Sequence, residues 1–276
     1  MKPVMPSSPA DYNLPQLTTI SLGWGVQSWG LLAMSALGVL PPVDFAIHGD
    51  TGWERSETYA FAKRWTPWVE EHGIKIVTVR ASKKCRNVMF DSSNGQTMAP
   101  LFTFSLGENQ KDPKDYYGKL GQLNQSCTQR WKIAPMRRWL SAELKRRGLK
   151  KSPDIIEQWI GFTLDEVQRV TLDDVQYATK SYPYLEMLDR PYTRQMVIHW
   201  LRENDLEIPV KSACVFCPFR RWQTWRQIQL SGNGDWQRAI KVDRAIRHKR
   251  PGYLCYVCDD RRPLEDHDFT RQMALW

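Results

Sequence analysis

Two cysteine pairs and one glycine loop carry most of the chemistry this sequence can offer. Cys214-Val215-Phe216-Cys217 places two thiols one helical turn apart, a spacing that suits a shared metal ion, one face of an iron-sulfur cluster, or a redox dithiol. Cys255-Tyr256-Val257-Cys258 repeats it. A Zn²⁺ site made from both pairs would have to bridge the 37 residues between Cys217 and Cys255, more than the ~15–20 of a compact zinc ribbon. Cys85, between Lys84 and Arg86, is a lone thiol, and lone thiols are more often inert core fillers than nucleophiles. The loop is Ser21-Leu22-Gly23-Trp24-Gly25-Val26-Gln27-Ser28. Backbone N–H groups at a helix start can cradle a phosphate, with Ser21 and Ser28 adding hydroxyls, although the same glycines also serve a plain tight turn. No Gly-Lys-Ser/Thr follows, so it is not a Walker loop.

The elements that must hold these groups alternate. Leu17 to Leu22 reads as a strand and Ser28 to Leu37 as a helix. Val43 to His48 is a second strand, Ser56 to Glu71 a helix and Lys75 to Val79 a third strand. A β-α-β-α-β order implies an α/β fold, a doubly wound parallel sheet that binds ligands beyond the carboxyl ends of its strands. Residues 85 to 126, rich in Asn, Gly, Gln, Asp and Pro, read as a long loop or lid. Helical patterning resumes at Ile133 to Arg147, and Glu157 to Phe162 is a further candidate strand. The expected organisation is a loose arm over 1–15, a nucleotide-binding α/β domain over 16–190 and a helical, basic, cysteine-bearing region over 191–276.

Ser21, Gly25, Gln27 and Ser28 resemble the phosphate loop of the phosphoadenosine phosphosulfate (PAPS) reductase-like branch of the adenine nucleotide alpha-hydrolase, or ATP pyrophosphatase, superfamily. Trp24 departs from it, because a glycine there lets the backbone approach phosphate and an indole would close the pocket or stack on a base. Asp50-Thr51-Gly52 with Glu57-Thr58 is similar to the second-strand motif of that family. Gly161 with Asp165, Glu166 and Arg169 is similar to a stretch in its phage and plasmid members. The resemblance spans roughly residues 17 to 170. It implies ATP or a related adenine nucleotide on the Ser21–Ser28 loop, with Gly23, Thr51, Gly52, Gly161, Glu166 and Arg169 lining the site. Asp50 would contact adenosine or Mg²⁺, and adenylation with pyrophosphate release would be the chemistry.

Cys127 to Met136 is similar to the Cys-Cys-x-x-Arg-Lys-x-x-Pro-Leu motif of assimilatory adenylyl-sulfate (APS) reductases, matching at Cys127, Lys132 and Pro135. Those enzymes hold a 4Fe-4S cluster. The resemblance implies Cys127, Cys214 and Cys217 as three ligands, with Cys255 the preferred fourth. It favours iron-sulfur over zinc and puts Arg130 and Lys132 beside Asp50 as candidate catalytic groups.

The composition excludes some classes and favours one kind of partner. At 276 residues with 42% hydrophobic content the chain can bury its own core, and no apolar run approaches the ~20 residues of a membrane span. No secretory signal is legible in the first twenty residues, so a cytoplasmic protein is expected. The net charge of +9 favours polyanions. Nine of the 22 residues from Arg130 to Lys151 are basic, and Arg220, Arg221 and Arg226 interleave with Trp222 and Trp225. This mixture suits nucleic acid, whether tRNA, DNA or CRISPR-related RNA. The leading expectation is an ATP-dependent activating enzyme linked to sulfur transfer or nucleic-acid modification. A non-catalytic accessory protein of a mobile-element or CRISPR system is the alternative. True PAPS or APS reduction ranks lower because residues 259 to 276 lack a Glu-Cys-Gly-Leu-His-like nucleophile segment.

Overall fold

The computed structural model describes residues 15–87, 99–107, 116–171 and 175–271. In chain order they form β1 (Leu17–Leu22), α1 (Val26–Ala36), β2 (Phe45–Asp50), α2 (Ser56–Glu71), β3 (Lys75–Arg80) and the short α3 (Lys83–Arg86). Strands β4 (Phe102–Ser105) and β5 (Leu120–Gln122) precede a π-turn at Thr128–Ile133 that runs into α4 (Ala134–Arg146). Next come β6 (Ile156–Trp159), a 3₁₀ turn at Leu164–Arg169, β7 (Ala178–Ser181), α5 (Pro183–Glu186) and α6 (Arg194–Glu203). Helices α7 (Trp222–Leu230) and α8 (Asp235–Ile246) lead to β8 (Tyr253–Tyr256).

Five strands make one sheet in the order β3-β2-β1-β6-β7, and every pairing is parallel. Every residue of β2 is buried, as expected of a strand covered on both faces. Alternation along the strands sends Ile20, Leu22 and Ala46 to a face packed by Trp29, Phe61, Val197 and Leu201 of α1, α2 and α6. Leu17, Phe45 and Ile47 go to the other, against Met136, Leu140 and Leu144 of α4. The chain leaves β1 toward β2 on one side and later returns as β6 on the other. The carboxyl ends of β1 and β6 therefore flank the topological switch point, where sheets of this kind bind ligands.

A second, antiparallel sheet has the order β5-β4-β8. It corrects the reading of residues 85 to 126 as a loop or lid: the described parts of that span supply two strands, paired with each other, and β4 also pairs with β8 far along the chain. Residues 88–98 and 108–115 of the span, and 1–14 of the expected arm, lie outside the described residues. The C-terminal region is accordingly not purely helical. Its core joins Val215, Phe216, Trp225, Val242 and Val257 to Ala99, Leu101 and Trp131. No described helix is long and apolar enough to cross a membrane.

Candidate nucleotide and thiol site

Glycine 25 caps the start of α1 in extended geometry with no side-chain cap, so the first N–H groups of the helix are left to the loop and to a ligand. The Ser28 hydroxyl knits the loop, accepting from Gly23 N–H at 3.1 Å and donating to the Gly25 carbonyl at 3.3 Å. Gln158 donates to Ser21 Oγ at 3.0 Å from neighbouring β6. Gly161 closes the other side of the crevice. A Cβ there would stand 3.2 Å from the backbone of Gln27 and Ser28, so glycine is what lets the two loops approach. Gln27 reaches across to Thr163 at 3.3 Å and to Glu166, and Glu166 is paired with Arg169. The loop, Gly161, Glu166 and Arg169 are thus assembled at the switch point.

Trp24 differs from the expectation. Its backbone is in the left-handed region, φ 57°, and its indole is 2% exposed, stacked on Trp29 at 6.2 Å and edge-on to Phe61 at 6.1 Å. The ring points into the core, so it neither blocks the crevice nor offers a face to a base. Only the backbone of Trp24 can belong to a ligand site.

Asp50, at the end of β2, is held in place by protein partners. Oδ1 accepts from Gly52 N–H at 2.7 Å and the Tyr59 hydroxyl at 2.8 Å, and Oδ2 from Arg80 Nε at 2.6 Å. Burial raises the carboxyl's pKa, but these three donors outweigh it and hold the group below the usual carboxylate range. An acid already neutralised by an arginine and saturated with donors does not fit a Mg²⁺ ligand; it fixes the Asp-Thr-Gly turn. Because the folded-state value is depressed, Asp50 contributes stability above about pH 4, lost as pH falls through its lower folded value. Denaturant midpoints measured between neutral and acid pH should show a steep acid loss that is shallower in Asp50→Asn.

That turn carries the chain to the thiols. Thr51 Oγ1 accepts from the Cys214 thiol at 3.3 Å, and Glu54 forms an isolated antiparallel bridge with Cys214. Glu54 has no solvent exposure; it is paired with Lys132 Nζ at 3.1 Å and accepts from the Ser212 hydroxyl at 3.2 Å. Ser212 in turn lies against the phosphate-type loop, 3.5 Å from where a Cβ on Gly25 would be. A contiguous path runs from the loop through Ser212 and Glu54 to Lys132 and Cys214. Lys132 is delivered by the π-turn, a local widening of the helix often found at functional sites, and its backbone rests on Gly49, where a Cβ would meet it at 3.0 Å. Burial opposes the lysine's charge, but Glu54 outweighs it and raises the pKa.

Cys217 acts electrostatically on both Cys127 and Cys214, and Lys132 on Cys214. Burial pushes the Cys214 thiol up to about 12 and Cys127 upward as well. Beside them lies Arg220, which donates to the carbonyls of Ala213 and Cys214. Its buried Nε and Nη1 have no partner. Spare guanidinium donors beside Cys214 and Cys217 fit an anionic iron-sulfur cluster. A single zinc ion fits less well. Tetrahedral thiolates at a Zn–S distance of ~2.3 Å lie within ~4 Å of one another. Among the described residues, the only three potential metal ligands within 4.8 Å of one another are Cys258, Asp260 and His267. The four-thiol zinc arrangement is therefore not assembled. Cys255 sits on β8 opposite Thr103, and the charges acting on its thiol are those of Arg250 and Arg247.

Residue-by-residue reading of the sequence missed Glu54, Ser212 and His48. His48 is buried, its Nδ1–H donating to the Leu22 carbonyl at 3.1 Å; burial lowers its pKa despite that carbonyl, keeping the ring neutral. Glu54 had a faint signal, an acid four residues beyond Asp50. The aromatic part of the nucleic-acid expectation is corrected: Trp225 is buried against Phe269, and Trp222 packs on the same ring at 4.5 Å. Arg238, Arg244 and Arg247 are engaged with Asp235, Glu265 and Asp243. Arg130 is exposed, and among the described residues its side chain makes no hydrogen bond or ion pair within the site.

No protein-family model matches the sequence, and no curated protein matches it. Among solved structures, a phosphoadenylyl-sulfate (PAPS) reductase from Candida auris, in a phosphate complex, is similar over 72% of this chain and 78% of its own, at 16% identity and a TM-score of 0.41. That likeness is distant and assigns neither activity nor ligand to this chain. The chain is a mixed α/β protein with a five-stranded parallel sheet, its glycine loop at the switch point and Cys214 reached from that loop through Ser212 and Glu54.

Proposed function

We propose that the chain binds ATP with the phosphates on the Ser21–Ser28 loop and uses it to activate a substrate next to an iron-sulfur centre held by Cys127, Cys214 and Cys217. Cys255 is the candidate fourth thiol. The reading rests on one observation: the loop at the switch point is joined through Ser212 and Glu54 to the thiols and Lys132. In the adenylation we envisage, an acceptor oxygen forms a bond to the α-phosphorus, the α–β bond breaks and pyrophosphate leaves. The N–H groups at the start of α1 would bind the phosphates, and the Lys132 ammonium would offset charge developing on their oxygens. A bound cluster would supply a site for inorganic sulfide, and the reaction we favour is attack of that sulfide on the acceptor carbon, which forms the C–S bond, breaks the C–O bond and releases AMP. The net charge of +9 is the remaining support for a nucleic-acid acceptor. The burial of Trp24 removes the reason to read the loop as closed and the protein as a non-catalytic accessory.

Two groups of measurements, one on the nucleotide and one on the cluster, test this reading. ATP at a hundredfold excess over its Kd should protect the fold by about 2.7 kcal/mol. Ser28→Ala should weaken binding by about 1.5–3 kcal/mol, one to two orders of magnitude, because it loosens the loop and removes a phosphate donor. Labelled ATP should yield pyrophosphate. Anaerobically purified protein should be brown, absorbing broadly near ~400 nm, and Cys255→Ser should bleach it more than Cys258→Ser. Absence of any ATP-dependent shift defeats the nucleotide half, and a colourless protein defeats the cluster half.

A further inference from the structure

We propose that Cys258, Asp260 and His267 form a mononuclear Zn²⁺ site with three protein ligands and an open fourth position, apart from the Cys127, Cys214 and Cys217 centre. One sulfur, one carboxylate oxygen and one ring nitrogen lie within 4.8 Å of one another. A borderline-soft ion that accepts sulfur, nitrogen and oxygen donors in tetrahedral geometry suits this mixed set. His267 is 9% exposed, and its buried Nε2 makes no hydrogen bond although it lies 3.3 Å from Asp260 Oδ1. Asp260 Oδ1 accepts from Arg262 N–H at 3.2 Å and keeps a second lone pair, whereas the buried Nε2 has no hydrogen bond at all; a cation between them would give the nitrogen its partner and set the carboxylate's charge against its own.

The surroundings hold the ligands in place. Gln229 grips the chain on both sides of the histidine, donating to the His267 carbonyl at 3.1 Å and accepting from Phe269 N–H at 2.9 Å. Phe269 stacks on the imidazole at 4.8 Å between centroids. Such outer contacts set the orientation of a metal-binding imidazole. The three ligands line a 390 Å³ cavity together with Arg220 and Trp222. That cavity gives water or a small anion a route to the fourth position. Three protein ligands with an open position is the arrangement of zinc sites that bind an exogenous ligand, whereas four closed ligands mark structural ones.

The test uses the full-length, metal-free protein under anaerobic conditions, titrated with Co²⁺ and with Cd²⁺. One equivalent of Co²⁺ should give tetrahedral d–d bands and a charge-transfer band of one-thiolate intensity, and azide should shift the d–d bands. His267→Gln and Asp260→Asn should each weaken this binding by more than about tenfold, the loss that even an outer partner of a metal ligand brings. Cys255→Ser and the double variant Cys214→Ser/Cys217→Ser should retain it. Cadmium NMR of the unmodified protein keeps the test independent of variants that fail to fold: a resonance in the single-sulfur range supports the site. Cadmium resonances only in the multi-thiolate range would overturn it, as would Co²⁺ binding that ignores His267→Gln but is lost in the double variant.

Discussion

Lys132→Ala is expected to destabilise the protein by about 3–5 kcal/mol, the cost of removing one partner of a buried ion pair. Glu54 has no solvent exposure and would keep only the Ser212 hydroxyl, whereas the Lys132 side chain retains 33% exposure. The two ends of the pair are therefore unequal. Glu54→Gln leaves an ammonium that can turn toward water and an amide that can still accept from Ser212, so its cost should be clearly smaller. Denaturant melts of both variants decide the matter: equal losses would mean that Glu54 is not the trapped charge. Lys132→Arg should rescue poorly, because a planar guanidinium cannot replace a compact ammonium where the backbone rests on Gly49. If Lys132 also serves the proposed adenylation, Lys132→Ala should abolish pyrophosphate release at temperatures where the variant is still folded.

Trp24→Gly is expected to destabilise by about 2–4 kcal/mol. Two effects oppose each other. Glycine relieves the left-handed backbone, worth about 1–2 kcal/mol for a bulky residue. It also empties the space of an indole packed on Trp29 and Phe61, and truncating a buried tryptophan costs about 3–5 kcal/mol. The cavity wins. In a chain of this size the melting temperature should drop by roughly 2–4 °C per kcal/mol. Trp24→Phe, which keeps a ring, should lose less. ATP affinity measured below the melting point should change little in either variant, because only the backbone of residue 24 faces the loop. A stabilised glycine variant would show that the strain outweighs the packing.

The alternation of β1, α1, β2, α2 and β3 was legible because each strand is a short apolar run closed by glycine or a turn, and each helix is long enough to show its period. The loop at 21–28, Gly161, Glu166 and Arg169 could be read together because motif order carries information that a single residue lacks. What escaped the sequence was tertiary. β7 reads Ala-Thr-Lys-Ser, with no alternation, and exists because β6 offers it an edge. β4 is a four-residue alternating run, Phe-Thr-Phe-Ser, too short to stand out from its surroundings until it pairs with distant β8, and β5, Leu-Gly-Gln, becomes a strand by pairing with β4. The direction of the Trp24 ring could not be read from its type, since an indole after a strand serves a pocket or a core equally well. Glu54 and Arg220 gain meaning only from the groups placed around them. The Cys258, Asp260 and His267 grouping depends on the chain's return after β8, which no spacing rule encodes.

The register of β4 against β8, with Phe102 opposite Tyr256 and Ser105 opposite Tyr253, has a consequence for biogenesis. On the ribosome the parallel sheet can close once β7 has emerged, since its last residue is Ser181. Residues 102–105 must then wait until 253–256 are synthesised, holding only the short β5 on one side. During that interval β4 presents an open edge carrying Phe102 and Phe104, with Leu101 beside it, the kind of surface that recruits chaperones or pairs with a neighbouring nascent chain. Elongation from residue 182 to residue 253 thus sets how long the protein is exposed to misassembly, and a ribosome that stalls before residue 253 leaves that edge uncapped.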